Sequence, residues 1–153
     1  MPHEITIDPA TGTVSIAGIS LTLQAGLPYE QVEATFSSFK QSERDHRNGY
    51  RWLDLHRLSF GGKPAGLGLC FFHSHLCELH WDVSLREDTS DTSWPTQEES
   101  DQTVVFLHET LRPMLSRPFS SGDERFPWGV VWALYDAKGG FASAGLRYGN
   151  GKA

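Results

Sequence analysis

The residues in this sequence best suited to chemistry lie between His73 and Asp82. His73 and His75 are separated by one residue, which can place both on one face of a strand, and Cys77, His80 and Asp82 follow closely. Imidazole, thiolate and carboxylate groups are the ligands that zinc and other transition metals use in proteins. Cys77 next to a histidine also offers a thiol and a base for nucleophilic catalysis. A small metal- or thiol-dependent enzyme is therefore one function that this pattern permits.

The alternation expected of a strand weighs against that enzyme. In a strand over 75–85, His75 and Cys77 point inward while His80 and Asp82 point outward, so at most a pair of ligands remains on either side. No third group is evident to orient the Cys77 thiol, which is better explained as a buried structural cysteine. The sequence also lacks G-x-S-x-G, G-x-x-x-x-G-K, G-x-G-x-x-G and H-E-x-x-H. We predict no catalytic residues, no metal site and no cofactor.

These residues belong to the most regular stretch of the sequence, 50–85, which predicts three successive strands. Turn-forming residues at 61–64 and 73–75 separate the strands, so neighbours are expected to pair antiparallel as a meander. In the first strand, alternation puts Leu58 on the same face as Trp52. The last strand is apolar on one face and polar on the other, which is typical of a half-buried strand. The expected open face carries His56, Glu78, His80 and Asp82.

The flanking segments supply elements that can cover the other face of the sheet. Alternating isoleucine and valine residues on either side of a turn predict an opening hairpin over 5–16. Apolar residues three and four positions apart predict two helices, 28–40 and 96–116. The second helix is expected to start at a capping box formed by Thr96 and Glu99.

The remaining segments complete the expected fold. The polar residues 42–49 suggest a loop or a frayed helix end, and 117–125 suggest a linker rich in Pro, Ser and Gly. Residues 126–148 are the most apolar part of the chain and predict a terminal hairpin. We therefore predict an α+β fold, in which the meander and the terminal hairpin form an antiparallel sheet and two helices pack on one face.

Composition sets the broad class of the protein. The chain has 153 residues, of which 39% are hydrophobic and 21% charged, as expected for one globular domain over 1–153. No apolar run approaches the roughly 20 residues that span a bilayer. The N-terminus has no basic and apolar signal sequence, and there are only two cysteines, Cys70 and Cys77. We expect a cytoplasmic protein with reduced thiols and no membrane partner.

Negative charge is concentrated in residues 86–101, which we call the acidic segment. It contains six Asp or Glu residues and one base, Arg86, whereas the whole chain has a net charge of −6. A surface of this sign repels phosphate, so a nucleic-acid partner is not expected. It suits a basic protein partner, although a charged loop can also serve solubility alone.

Two resemblances to known families bear on function. The run from Leu21 to Val32, followed by Phe36 and three strands, resembles the small domain of BamE/SmpA outer-membrane lipoproteins and related beta-lactamase-inhibitor-like folds, over about residues 19–85. That resemblance implies a layered α+β shape and an assembly or scaffold role. This sequence lacks the lipoprotein signal and the lipid-bearing Cys of that family. The segments 93–99, 126–129 and 135–140 resemble small cytosolic immunity proteins that neutralise bacterial toxins, which implies an inhibitor.

The sequence thus favours a non-catalytic, immunity-type inhibitor that binds a basic toxin. Aromatic residues within a charged loop are typical interface anchors, and charge around them steers the encounter. Alternatively, Trp94 folds back onto the helix that follows it and the acids are simply solvated. The predicted partner-binding residues are Glu87, Asp88, Asp91, Trp94, His80 and Asp82. Oligomeric state is not indicated by any pattern.

Overall fold

The computed structural model describes residues 3–87 and 90–149 and has the predicted α+β fold. Within these residues, it contains two α-helices, a seven-stranded antiparallel sheet and a separate two-stranded hairpin. The elements in chain order are β1 (Ile5–Ile7), β2 (Val14–Ile16), α1 (Tyr29–Thr35), β3 (Lys40–Asp45), β4 (Tyr50–Phe60), β5 (Lys63–Phe72), β6 (His75–Val83), α2 (Gln97–Leu115), β7 (Asp123–Phe126), β8 (Gly129–Asp136) and β9 (Phe141–Tyr148).

The large sheet has the order β3-β4-β5-β6-β9-β8-β7. The meander of β4, β5 and β6 is confirmed, and each pair of neighbours is antiparallel. The terminal hairpin of β8 and β9 is also confirmed, and β9 pairs with β6 to join the hairpin to the meander. Sequence alone did not indicate which strand of the hairpin would make that contact.

The helices and the β1–β2 hairpin contribute to a single hydrophobic core on one face of the sheet. From α2, Leu107, Leu111 and Leu115 are buried. The predicted capping box is present, because the Thr96 side chain accepts from the Glu99 backbone and Glu99 accepts from the Thr96 backbone. Neither helix in the described part of the chain is long and apolar enough to cross a membrane. The opposite face of the sheet carries the polar side chains of the alternating strands.

Two segments differ from their predicted structure. The first helix ends at Thr35 and is followed by a 3₁₀ turn, Ser37–Phe39, so the predicted helix over 28–40 was too long. Residues 40–45 form the edge strand β3, not a loop or frayed helix end. Its side chains are polar and mostly exposed, so the sequence lacks the apolar alternation that is typical of a strand. Polar side chains on an edge strand also protect the sheet from pairing with other chains. At the opposite edge, the predicted linker 117–125 ends in the short strand β7.

Two β-bulges shift the expected alternation inside the meander. Between Leu55 and Leu58 the pairing of β4 with β5 slips by one residue, and Arg57 has a φ of 64°. Leu58 therefore points into the core and not to the face of Trp52 as predicted. A second slip in the pairing of β5 with β6 buries Leu76, whereas Cys77, predicted to point inward, is only half-buried. A bulge adds one residue to one strand and so reverses which face the next residue occupies.

Replacing a central core leucine should destabilise the protein strongly. Leu69 is fully buried on β5, at the middle of the meander. Leu69→Ala removes apolar contacts and leaves a cavity, so we expect the free energy of unfolding to fall by about 2–5 kcal/mol. Val105→Ala is the control, because Val105 is 54% exposed on α2 and its loss should change stability by less than about 0.5 kcal/mol. Urea denaturation followed by circular dichroism measures both. Equal effects would contradict the burial of Leu69.

Candidate functional site

The histidine and cysteine residues that suggested an enzyme are dispersed in the structure. His73 and Ser74 form the tight turn between β5 and β6, with φ values of 49° and 67°. The exposed His75 ring turns back to the His73 carbonyl, with Nδ1 2.9 Å from the oxygen. Cys77 lies instead against Cys70, and its thiol donates to the Cys70 carbonyl at 3.4 Å. Among the described residues, no three His, Cys, Asp or Glu side chains are grouped to hold a metal ion.

The polar face of the sheet, which we call the open face, is crossed by a row of aromatic rings. His80 stands between two tryptophans in edge-to-face contacts, with ring centroids 4.8 Å from Trp52 and 5.2 Å from Trp132. Glycines occupy the intervening strands, and at Gly145 the Trp132 ring leaves no space for a side chain. A Cβ at Gly145 would lie 2.4 Å from the Trp132 ring, and one at Gly68 would lie 3.5 Å from the Trp52 ring. Each indole therefore lies across a glycine to reach His80.

Each of these tryptophans has an arginine–carboxylate pair beside it. Arg44 donates to both carboxylate oxygens of Asp54, at 3.2 and 3.1 Å, and its guanidinium carbon is 5.4 Å from the Trp52 ring centroid. On the other side, Arg147 donates to Glu78 at 2.6 Å and lies 5.8 Å from the Trp132 ring centroid. The planar guanidinium group of arginine interacts favourably both with carboxylates and with the faces of aromatic rings.

Glu78 is the most enclosed carboxylate of these pairs. Its side chain is 15% exposed, and its second oxygen lies 2.5 Å from His80 Nε2. Burial alone would raise the pKa of Glu78, but the hydrogen bonds from His80 and Arg147 outweigh burial and hold the pKa below its usual value. Glu78 therefore stays ionised and orients the His80 ring between the tryptophans.

Asp82 lies on the same face but lacks an arginine. Its Oδ1 accepts from the Gly66 backbone N–H at 3.0 Å, and it has no Lys, Arg or His partner within ion-pair distance in the described parts of the chain. Asp82, His80 and Phe141 line one groove of about 370 Å³. A second groove of about 900 Å³ also includes Asp82 and Gly66 and extends to Arg86, Asp91 and Glu99 of the acidic segment. The two grooves thus meet at Asp82.

Arg86 organises the acidic segment from within. It donates to both oxygens of Glu99, at 2.8 and 3.0 Å, and to the carbonyls of Asp91 and Ser93. Asp91 also accepts from the backbone and hydroxyl of Ser93. Two of the six acids are therefore used to hold the segment in shape. Glu87 and Glu98 are exposed and make no hydrogen bond or ion pair within the described residues.

Trp94 is the most exposed large apolar side chain in the described parts of the protein, at 69%. Its ring contacts Phe141 edge-on, with centroids 6.2 Å apart, and Phe141 is itself 38% exposed. The alternative in which Trp94 folds back onto the following helix is not the arrangement found. Because Phe141 also lines the groove of Asp82 and His80, Trp94 stands at the rim of that groove.

The structure brings several predicted binding residues together and separates others. Trp94, His80 and Asp82 are linked through Phe141, and Glu87 is exposed in the adjoining segment. Asp91 is committed to Arg86 and Ser93, and Asp88 lies outside the described residues. Sequence reasoning missed the residues that complete the open face, which are Arg44, Trp52, Asp54, Trp132, Phe141 and Arg147. One sequence signal could have located these residues. Gly66 and Gly68 alternate along β5, and glycines in a strand mark places where large side chains of neighbouring strands lie across it.

Comparisons with known proteins give little about function. No protein-family model and no curated protein matches this chain. A chain of the solved structure "Rhs1-CT in complex with cognate immunity protein RhsI1" is similar in fold, with a TM-score of 0.49 and 14% sequence identity. The alignment covers 94% of this chain and 86% of that chain. A likeness at this level does not bear on what the present chain binds.

The Arg86–Glu99 pair should be visible in an acid titration. The bonds from the Arg86 side chain, followed by that from the Thr96 backbone, lower the pKa of Glu99 to about 2, from 4.5. Its stabilising effect is therefore complete above pH 4.5 and is lost as the pH falls toward 2. We expect carboxyl-detected NMR to give a midpoint of about 2 for Glu99, rising toward 4.5 in Arg86→Gln. Arg117→Gln, which alters a different ion pair, should leave that midpoint unchanged. A wild-type midpoint near 4.5 would contradict the pairing.

Proposed function

We propose that this chain is a non-catalytic, cytoplasmic binding protein that neutralises a cognate bacterial toxin, as immunity proteins do. The observation that carries the proposal is the exposure of Trp94, at 69%, in a segment that also presents the exposed carboxylates of Glu87 and Glu98. The resemblance of segments 93–99, 126–129 and 135–140 to immunity proteins agrees with it. The dispersal of His73, His75 and Cys77 favours binding over catalysis by that cluster.

Trp94 has the properties of an interface anchor. Tryptophan is enriched among the few residues that supply most of the energy of protein association, because its large surface can be desolvated in a partner's pocket. Trp94 is presented by a loop that Arg86 holds through its bonds to Asp91, Ser93 and Glu99. An anchor held in place before binding loses less conformational entropy on association.

The charge of the segment supports a basic protein as the partner. Glu87 and Glu98 carry negative charge that no partner among the described residues offsets. Complementary potential raises the rate of encounter with a basic protein and disfavours acidic ones, including nucleic acids. A basic toxin would thus be steered to the acidic segment and held there by Trp94 and Phe141.

The first test screens the products of the genes that flank the gene for this chain as candidate toxins. Co-expression of the chain should restore growth to cells that express the toxin, and the purified pair should form a complex. Trp94→Ala should weaken binding about 30-fold, because a central aromatic anchor contributes about 2 kcal/mol or more. Isothermal titration calorimetry gives the Kd. Tyr50→Ala is the matched control, since Tyr50 is an exposed aromatic residue that packs on Phe72 instead.

The outcomes distinguish failure of the proposed function from failure of the proposed binding surface around Trp94. If the chain neither protects cells nor binds the toxin, the proposed function is wrong. If it protects them but Trp94→Ala binds as tightly as Tyr50→Ala, the function stands and the anchor must be sought elsewhere on the chain.

Charge reversal tests the steering role separately. Glu87→Lys combined with Glu98→Lys removes the free acids without disturbing the bonds of Asp91 to Ser93 and Arg86. We expect the association rate to fall about 10-fold at low salt, and its dependence on salt to flatten. Reversal of Glu30 and Glu109, both exposed on other surfaces of the helices, changes the net charge equally and should have a smaller effect. Stopped-flow fluorescence measures these rates, and equal effects of the two double variants would exclude local steering.

A further inference from the structure

The carboxylates Asp54, Glu78 and Asp82 of the open face differ in whether an arginine is paired with them. Asp54 is paired with Arg44, whose guanidinium lies beside Trp52, and Glu78 is paired with Arg147 in the same way beside Trp132. Asp82 shares a groove with the half-exposed ring of Phe141, yet it has no cationic partner in the described parts of the chain. Asp82 and Phe141 thus supply the carboxylate and the aromatic ring of such an arrangement, but no arginine among the described residues pairs with Asp82.

We propose that Asp82 binds an arginine side chain presented by the protein partner. This inference rests on the proposed function and specifies the chemistry of the partner at one point of the interface. The guanidinium would donate to the Asp82 oxygen that does not accept from Gly66, and its plane would lie against Phe141 or His80. The partner thereby completes the pairing that the chain makes for itself at Asp54 and Glu78.

The shape of the groove suits a planar cation. Gly66 and Gly68 have no side chains above the sheet, and a Cβ at Gly66 would lie 3.1 Å from the Asp82 carboxylate. The Asp82 carboxylate is therefore held over Gly66, and the groove of about 370 Å³ that Asp82 lines leaves room for an approaching side chain. Arginine fits better than lysine because its rigid fork makes two bonds to a carboxylate and its plane stacks on aromatic rings.

The location of Asp82 agrees with the rest of the proposed interface. Asp82 is exposed, and both grooves include it. Phe141 lies between this groove and Trp94, so an arginine at Asp82 and a pocket around Trp94 can belong to one partner surface. The exposed carboxylates of Glu87 and Glu98 in the acidic segment add attraction for the same basic partner.

A short peptide probe tests this inference without the toxin. Acetyl-tetra-arginine-amide, acetyl-tetra-lysine-amide and acetyl-tetra-citrulline-amide have similar length but differ in charge and in the shape of the cation. The Gly66 amide is the reporter in ¹H–¹⁵N NMR, because it donates to Asp82 at 3.0 Å. We expect saturable movement of the Gly66 signal with the arginine peptide, at least about 3-fold weaker binding of the lysine peptide, and no saturable movement with the citrulline peptide.

Substitution of Asp82 gives the decisive comparison. Asp82→Asn keeps an oxygen that can accept from Gly66, so the fold is preserved, and a melting curve checks this. It should weaken binding of the arginine peptide at least about 5-fold, whereas Glu98→Gln, which removes the same charge from the acidic segment, should weaken it less than about 2-fold.

Three results would overturn the assignment. The first is equal loss of arginine-peptide binding in Asp82→Asn and Glu98→Gln, which would indicate general attraction to negative charge. The second is equal binding of the lysine and arginine peptides, and the third is binding that leaves the Gly66 signal unmoved. Because no toxin is present, failure here is distinguishable from failure of the proposed function, which is judged by protection of cells.

Discussion

Burial of only one face of the sheet is the constraint on which the rest of this structure depends. Apolar side chains from the strands, from α1 and α2 and from the β1–β2 hairpin meet in one cluster on that face. Because successive residues of a strand point to opposite sides, the same alternation that fills the core also populates the open face. The two bulges in the meander are compatible with this constraint because each of them returns a leucine, Leu58 or Leu76, to the core.

The open face shows how an exposed sheet surface can be polar and still ordered. Two tryptophans lie across Gly68 and Gly145 and enclose His80, and at Gly145 a side chain would collide with the Trp132 ring. Ion pairs that Arg44 and Arg147 make with carboxylates on neighbouring strands flank this row. Individual exposed ion pairs add little to stability. Their effect here is to hold large side chains in defined positions, which suits a surface that recognises a partner.

The acidic segment combines two roles that its composition does not distinguish. Asp91 and Glu99 are bound to Arg86 and fix the path of the loop, while Glu87 and Glu98 remain free to act at a distance. The loop therefore behaves as a shaped support for Trp94 surrounded by negative charge. In the proposed interface these two features would act on different steps of association, since a charge field affects encounter and an aromatic anchor affects dissociation.

The sequence by itself determined the α+β class, the meander, the terminal hairpin, the capping box of α2 and the outward placement of His80 and Asp82, because these follow from local periodicity and turn chemistry. It did not reveal β3, whose polar residues form a strand only because β4 offers its free edge. Tertiary structure alone decided which acids Arg86 neutralises, that Trp52 and Trp132 enclose His80, and that Phe141 lines a groove with Asp82. The contacts across the open face join residues far apart in the chain, and strand register, not local spacing, sets which of them meet.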